Sequence, residues 1–282
     1  MHVLFDTTPQ AIIARAVLGV VVAGAVALAA YRLRSLTRSG AGAAVFVGTL
    51  SFACGGLLVA AAILLFFISG TVLSKARTAA ADIARRSAPK PGQRDAAQVL
   101  ANGGIAVACA VVGAAVAALG WPHAMRWMVA AVCALAAASG DTWSTEIGSL
   151  LGGPTRLITT MCPAPAGTSG GVSFGGTVAA PIGGAFVGLA GFVASNRIGP
   201  IAWLVLTALA GLAGSAIDSL LGATVQGVWR CPRCGTTIEV PTHQICDAQA
   251  ILVRGWRWLD NDAVNLLATI CGAALGFGLA ST

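Results

Sequence analysis

The chain has 282 residues, of which 57% are hydrophobic and only 10% charged, with a formal net charge of +7 and a mean hydropathy of +0.84. A soluble domain carries about 25% charged residues to cover its surface, so a water-soluble globule is excluded. The apolar residues come in solid runs near the ~20 residues that cross hydrocarbon as helix, without the alternation of a membrane barrel. The composition therefore predicts an all-α integral membrane protein, a polytopic helical bundle. No aromatic residues interleave with the basic ones as single-strand binding requires, so nucleic acid is not an expected partner.

Eight apolar stretches are predicted as spans, at approximately residues 11–31, 41–55, 57–74, 99–120, 126–140, 172–195, 200–222 and 263–280, within one transmembrane domain covering 1–282. The first has no basic segment before it and seven more come after it, so it reads as a retained helix and not a secretory signal. The second and third form one apolar run broken only at Gly55 and Gly56, either one very long helix or two short ones. Charge chooses between them. With a hairpin at the glycine pair, 14 of the 17 Lys and Arg residues fall on one side, all but Arg15, Arg126 and Arg197. The positive-inside rule then assigns the rich loops, including Gly140 to Gly171 and Ala223 to Asp262, to the cytoplasm and both termini to the far side. Cys54, Cys109, Cys133 and Cys271 lie in apolar runs, where a thiol packs as a small hydrophobe.

Six polar stretches stand out on the predicted cytoplasmic side. Lys75, Arg77, Lys90 and Arg94 lie in a basic loop feeding a helix with Gln98 and Asn102. Such a set clamps phosphates, Lys as a point charge and Arg as a fork; the plainer reading is topology and headgroup contact. In "SGDTWSTEIG", Asp141 and Glu146 end an otherwise uncharged helix, where carboxylates are costly unless paired or metal-bound. At i and i+5 they are about 140° apart and share a face only if the helix starts to unwind. Otherwise each has a threonine at helical spacing, Thr145 for Asp141 and Thr142 for Glu146.

The segment Pro165 to Thr177 holds Gly167, Thr168, Ser169, Gly170, Gly171 and Ser173 and runs straight into a helix. It reads either as a cradle of backbone N–H groups for an anion or as a Gly-rich turn before small-residue packing. Asp218, followed by Ser219, is an isolated acid near the end of an apolar run. Its cost, about 2.5–3.5 kcal/mol at a helix centre, is offset by a partner or by snorkelling to water. Cys231, Cys234, His243 and Cys246 have zinc-knuckle spacing in a small loop insertion, 231–246. Four ligands leave no open position, so zinc here is expected to be structural. In "WLDNDAVN", Asp260, Asn261 and Asp262 precede the last span and Asn265 lies inside it; helix capping explains one or two of them.

In this order, "AAQVLANGG", "GDTWSTEIG", "GTSGGVS", "DSLLGA" and "WLDNDAVN" resemble the membrane family that includes chloroplast phytyl-phosphate kinase and transmembrane protein 19, over about Ala41 to Gly278. The resemblance implies phosphoryl transfer from a nucleoside triphosphate, CTP favoured, to an isoprenoid monophosphate, giving the diphosphate. On that reading Asp141, Glu146 and Asp218 hold Mg²⁺, with Lys75 as a further catalytic residue. Arg77, Lys90, Arg94, Gln98, Asn102, Thr142, the Gly167 to Ser173 segment, Ser219, Asn261, Asp262 and Asn265 contact the substrates. A lipid-phosphate nucleotidyltransferase shares nearly all of these features. A lipid or anion transporter is the other alternative, against which the polar residues gather at one side and not at the midplane.

Overall fold

The computed structural model describes residues 7–76, 92–194 and 199–280. Helices dominate it, and six are long and apolar enough to cross a membrane. Thr8 caps α1 (Pro9–Arg32) by accepting from the Ala11 N–H at 3.4 Å. Thr37 caps α2 (Arg38–Lys75), accepting from Gly40, and Asp95 caps α3 (Ala96–Ala118), accepting from Gln98, both at 3.1 Å.

The α2 residues are helical on both sides of Gly56, whose φ of 59° and ψ of −156° fall outside the helical range. Gly56 supplies this backbone without a Cβ penalty. The chain folds back there: Gly40, on the first arm, lies against the Arg94 carbonyl, while Gly70, on the second, lies against the Arg94 guanidinium. A straight helix rising 1.5 Å per residue would hold those glycines some 45 Å apart. The glycine pair is therefore a hairpin, as the charge distribution predicted.

At the centre stands α4 (Ala124–Leu151), buried at every position from Met128 to Gly140. Small side chains let neighbours approach it from all sides. Its Gly140 packs against Gly211 of α7 (Pro200–Thr224), and Gly211 packs against Gly184 of α5 (Phe174–Gly188) so closely that added Cβ atoms would strike backbone. This is the small-residue packing that lets helices associate in lipid. A short α6 (Ala190–Ala194) follows α5, and α8 (Asn261–Leu279) packs on α4 through Gly272 and Gly276. Trp143 ties three helices together, donating from Nε1 to Ser69 Oγ of α2 at 3.2 Å and meeting the Phe186 ring of α5 in a tilted contact with centroids 5.5 Å apart.

Two expectations need correction. The helix with Asp141 and Glu146 neither ends at Gly140 nor unwinds; it continues to Leu151, so the loop expected from Gly140 begins at Gly152. The connections also hold short strands. One holds a three-stranded sheet of order β2–β1–β3, from β1 (Thr155–Leu157), β2 (Pro163–Ala164) and β3 (Gly171–Val172). The loop after α7 holds a sheet of order β5–β4–β8, from β4 (Val228–Arg230), β5 (Thr237–Ile238) and β8 (Ile251–Arg254), and the pair β6 (Thr242–His243) and β7 (Ala248–Gln249). Gly171 and Val172, expected near the start of a span, sit in β3; α5 begins at Phe174.

Candidate active site at the polar end of the bundle

The 33–37 turn, the end of α2, residues 92–95, the second half of α4 and the loop after α7 meet at one end of the bundle. Arg94 is the junction. Its N–H donates to the Ser35 carbonyl and its carbonyl accepts from the Thr37 N–H, both at 3.0 Å, so the backbone is clamped. The guanidinium lies 6.0 and 5.8 Å from the ring centroids of Phe66 and Phe67, borders Gly70 and Thr142, and interacts electrostatically with Glu146. Glu146 itself is buried, at 6% exposure.

Arg94 also closes one end of a cavity of about 280 Å³ between α1, both arms of α2 and α3. Its walls are almost entirely apolar, among them Leu18, Val22, Val47, Leu64 and Phe67; its polar lining is Arg94, Gln98, Asn102 and Thr142. Asn102 donates from Nδ2 to the Gln98 carbonyl at 2.9 Å, which satisfies part of an amide placed inside an apolar helix. These four residues, each expected at the site from the sequence, are brought together.

On the other side of Glu146 the acids form a line. Asp141 lies within electrostatic range of Glu146, and Asp218 within that of both Asp141 and Glu239. Helix α4 thus shows Glu146 to the Arg94 side and Asp141 to the Asp218 side without unwinding. Ser219, beside Asp218, is buried. Glu239 was not anticipated: it sits in the connection between β5 and β6, remote in sequence from every residue it meets. Burial pushes its carboxyl up, while the Ser169 and Gln226 side chains and the Arg254 charge pull it the other way. Among the described residues, the buried atoms Asp218 Oδ2, Gln226 Nε2 and Arg254 Nε have no hydrogen-bond partner. Polar atoms left bare in this way favour a polar or charged ligand at the end of the acid line.

The glycine-rich segment is a turn that packs and caps. Gly167 and Gly170 have φ of 80° and 82°, Gly170 lies against Ala223, and Ser173 caps α5 by accepting from Gly176 at 3.2 Å. Thr168 donates to the Pro165 carbonyl at 2.7 Å and accepts at its own carbonyl from the Gly171 N–H at 2.8 Å. Ser169 Oγ lies 3.0 Å from the Gly222 carbonyl and 2.9 Å from Gln226 Oε1, on the acid side. In the last motif Asp260 caps α8, accepting from Ala263 at 3.0 Å, Asp262 lies in its first turn, and Asn265 donates to the Asn261 carbonyl at 2.9 Å. Lys75 is the exposed last residue of α2. Arg77 and Lys90 lie outside the described residues.

Cys231, Cys234, His243 and Cys246 converge, with ligand atoms all within 4.8 Å of one another. Zinc bonds of about 2.0–2.3 Å span such a set with little movement. Hydrogen bonding from Thr236 brings the Cys234 thiol down to about 6, and its hydrogen bond with Cys234 takes Cys246 up to about 11. Among the described residues this is the one group of three or more His, Cys, Asp or Glu side chains that closes on a point; the carboxylates are strung out instead.

The family described as "Integral membrane protein DUF92" matches residues 21–273. The chain belongs to that family. Protein PGR of Arabidopsis thaliana is 31% identical, with 94% of this chain and 95% of that protein covered. An uncharacterized membrane protein of Methanocaldococcus jannaschii is 30% identical over 76% of this chain and 73% of its own length. The chloroplastic protein VTE6 of A. thaliana is 27% identical over 84% of this chain and 63% of that protein. These relatives bear out the family to which the order of motifs pointed. No solved structure matches.

Proposed function

We propose that this protein is a membrane-embedded isoprenoid monophosphate kinase that uses a nucleoside triphosphate, CTP by preference, at the cytoplasmic face. The observation that carries this reading is the apolar cavity whose polar end is Arg94 and which borders, through Glu146, a line of carboxylates. A prenyl chain fits the first chemistry, a phosphate monoester fits the guanidinium, and a metal–nucleotide fits the acids. The distant likeness to VTE6 supports the same class.

Phosphoryl transfer asks little covalent work of a protein and much positioning. Arg94 holds the lipid phosphate as a two-pronged donor, Gln98 and Asn102 orient it, and the cavity walls exclude water from the tail. A phosphate monoester has its second pKa near about 6, so at neutral pH the attacking oxygen is already deprotonated and no general base is required. That oxygen forms a bond to the γ-phosphorus. The bond from the γ-phosphorus to the β-bridging oxygen breaks, its electron pair leaves with the nucleoside diphosphate, and the lipid becomes a diphosphate. One or two of Asp141, Glu146 and Asp218 would hold Mg²⁺, which would supply charge neutralisation; the orphaned Asp218 Oδ2 fits that role. Lys75 adds positive charge at the exposed end of α2, and the sequence offers Arg77 and Lys90 for the same role.

Incubation of purified protein with CTP or ATP, Mg²⁺ and a panel of prenyl monophosphates, read by mass spectrometry, tests the reading. A prenyl diphosphate is expected, and Asp218→Asn should cut its formation by two orders of magnitude or so. A nucleoside-monophosphate-linked lipid would replace the kinase by a nucleotidyltransferase, and no product with any member of the panel would overturn both.

A further inference from the structure

The loop between α7 and α8 buries only a handful of apolar side chains, Val228, Trp229, Ile238, Ala248 and Leu259, and its strands have two to four residues, too short to hold their geometry unaided. Yet it places one carboxylate, Glu239, in hydrogen-bond reach of Ser169 and Gln226, within electrostatic range of Asp218. Glu239 lies between the two halves of the Cys/His group: Cys231 and Cys234 precede β5, and His243 on β6 and Cys246 follow it. The group is knotted by backbone as well. The Cys231 N–H donates to the Thr236 carbonyl and the Gly235 N–H to the Cys231 carbonyl, both at 2.9 Å, and Arg233 Nη1 donates to the Cys246 carbonyl at 2.6 Å. Cys231 and His243 are buried, so this is not a surface scatter of thiols.

We infer that Cys231, Cys234, His243 and Cys246 bind one structural zinc ion and that this zinc seats Glu239 against Asp218, adding from the loop a fourth carboxylate to the line formed by the membrane helices. With zinc the four ligands pin both ends of the Ile238 to Thr242 turn; without it the turn is tethered only by short ladders. The opposite wall is already rigid. Arg254 Nη2 donates to the Gly222 carbonyl at 2.6 Å, and Ser169 Oγ lies 3.0 Å from the same carbonyl, so the α7 end, β8 and the glycine-rich turn form a fixed pocket for Glu239. Two facing carboxylates repel, and a site that spends binding energy to bring them together is suited to a divalent cation on its substrate. Zinc is thus remote from the chemistry and acts by position; this last step, unlike the metal site itself, rests on the kinase reading above.

Three measurements on the full-length protein in nanodiscs decide the inference. Metal analysis should return about one zinc per chain, and Cys231→Ser with Cys234→Ser should lose nearly all of it; a wild-type protein without zinc overturns the site. A zinc-selective chelator at saturating Mg²⁺ should speed amide exchange across residues 237–243 by about tenfold or more, leave α3 and α4 unchanged, and be reversed by added zinc. Unchanged exchange there overturns the seating of Glu239. Glu239→Gln should retain zinc and exchange protection while losing about tenfold or more in turnover; wild-type turnover in that variant overturns the role given to the carboxylate. Should the wild type convert no prenyl monophosphate, the kinase reading falls while the metal and exchange results still judge the zinc.

Discussion

Replacing Arg94 by Gln separates two jobs that the structure gives to one side chain. The guanidinium interacts electrostatically with Glu146, which is 6% exposed, and lies 5.8 and 6.0 Å from two ring centroids. Removing one partner of a buried ion pair costs on the order of 3–5 kcal/mol, and each cation–π contact contributes about 0.5–2 kcal/mol, so Arg94→Gln should unfold at a clearly lower temperature. A charge-assisted hydrogen bond to the lipid phosphate contributes about 1.5–3 kcal/mol. At ~1.4 kcal/mol per decade, kcat/KM should fall by roughly 10- to 150-fold. Arg94→Gln combined with Glu146→Gln removes both charges, so most of the stability should return. Arg94→Lys keeps the charge but loses the fork, and should be nearly as stable as wild type while still impaired on the lipid substrate. Thermal unfolding followed by tryptophan fluorescence, with steady-state kinetics on a prenyl monophosphate, reads both effects. If the double variant regains turnover along with stability, Arg94 is only a counter-ion to Glu146, and the phosphate contact is wrong.

Two further outcomes follow from the cavity and from the charge distribution. A side chain added at Gly103 would meet Val47 Cγ1 at 2.9 Å, beside Ile63 Cδ1 at 3.6 Å, inside the cavity wall; Gly103→Leu should therefore lower conversion of long prenyl monophosphates by about tenfold relative to short ones, and an unaltered chain-length profile in product analysis would exclude this groove as the tail site. With 14 of 17 basic residues on one side, a cysteine placed at Gln93 should react with an impermeant maleimide only from the cytoplasm and one at Trp121 only from outside. Labelling of both from one side would reverse or remove the proposed orientation.

Much of the fold can be read from the sequence because lipid makes the rules severe. The hairpin at Gly55 and Gly56 follows from counting Lys and Arg, since a wrong choice would scatter charges over both faces. The cap of the last span follows too: Asp260 precedes an apolar run and accepts a backbone N–H. The course of α4 beyond Gly140 is harder, because the apolar pattern stops where the helix does not. What sustains its last turns is tertiary: Trp143 finds Ser69, and Glu146 finds Arg94. Glu239 was illegible for a related reason. An acid in a polar loop is unremarkable by pattern, and only the folded chain brings it to Asp218 and Ser169. The short strands were equally hidden, since pairs such as Trp229 with Leu252 arise from non-local register.

The placement of the polar residues also bears on what kind of protein this is. A transporter keeps its substrate site near the midplane, where both sides can reach it in turn. Here the cavity runs among apolar helices and its charged end is held by Arg94, whose backbone is fixed to the 33–37 turn. A phosphate at that position exchanges water for the Arg94 guanidinium and the Gln98 and Asn102 amides, so the expensive desolvation of a bare dianion in hydrocarbon is avoided. The tail alone enters the membrane interior. An arrangement that leaves the head of a lipid at the surface and buries only its chain favours chemistry on the head over passage of the whole molecule.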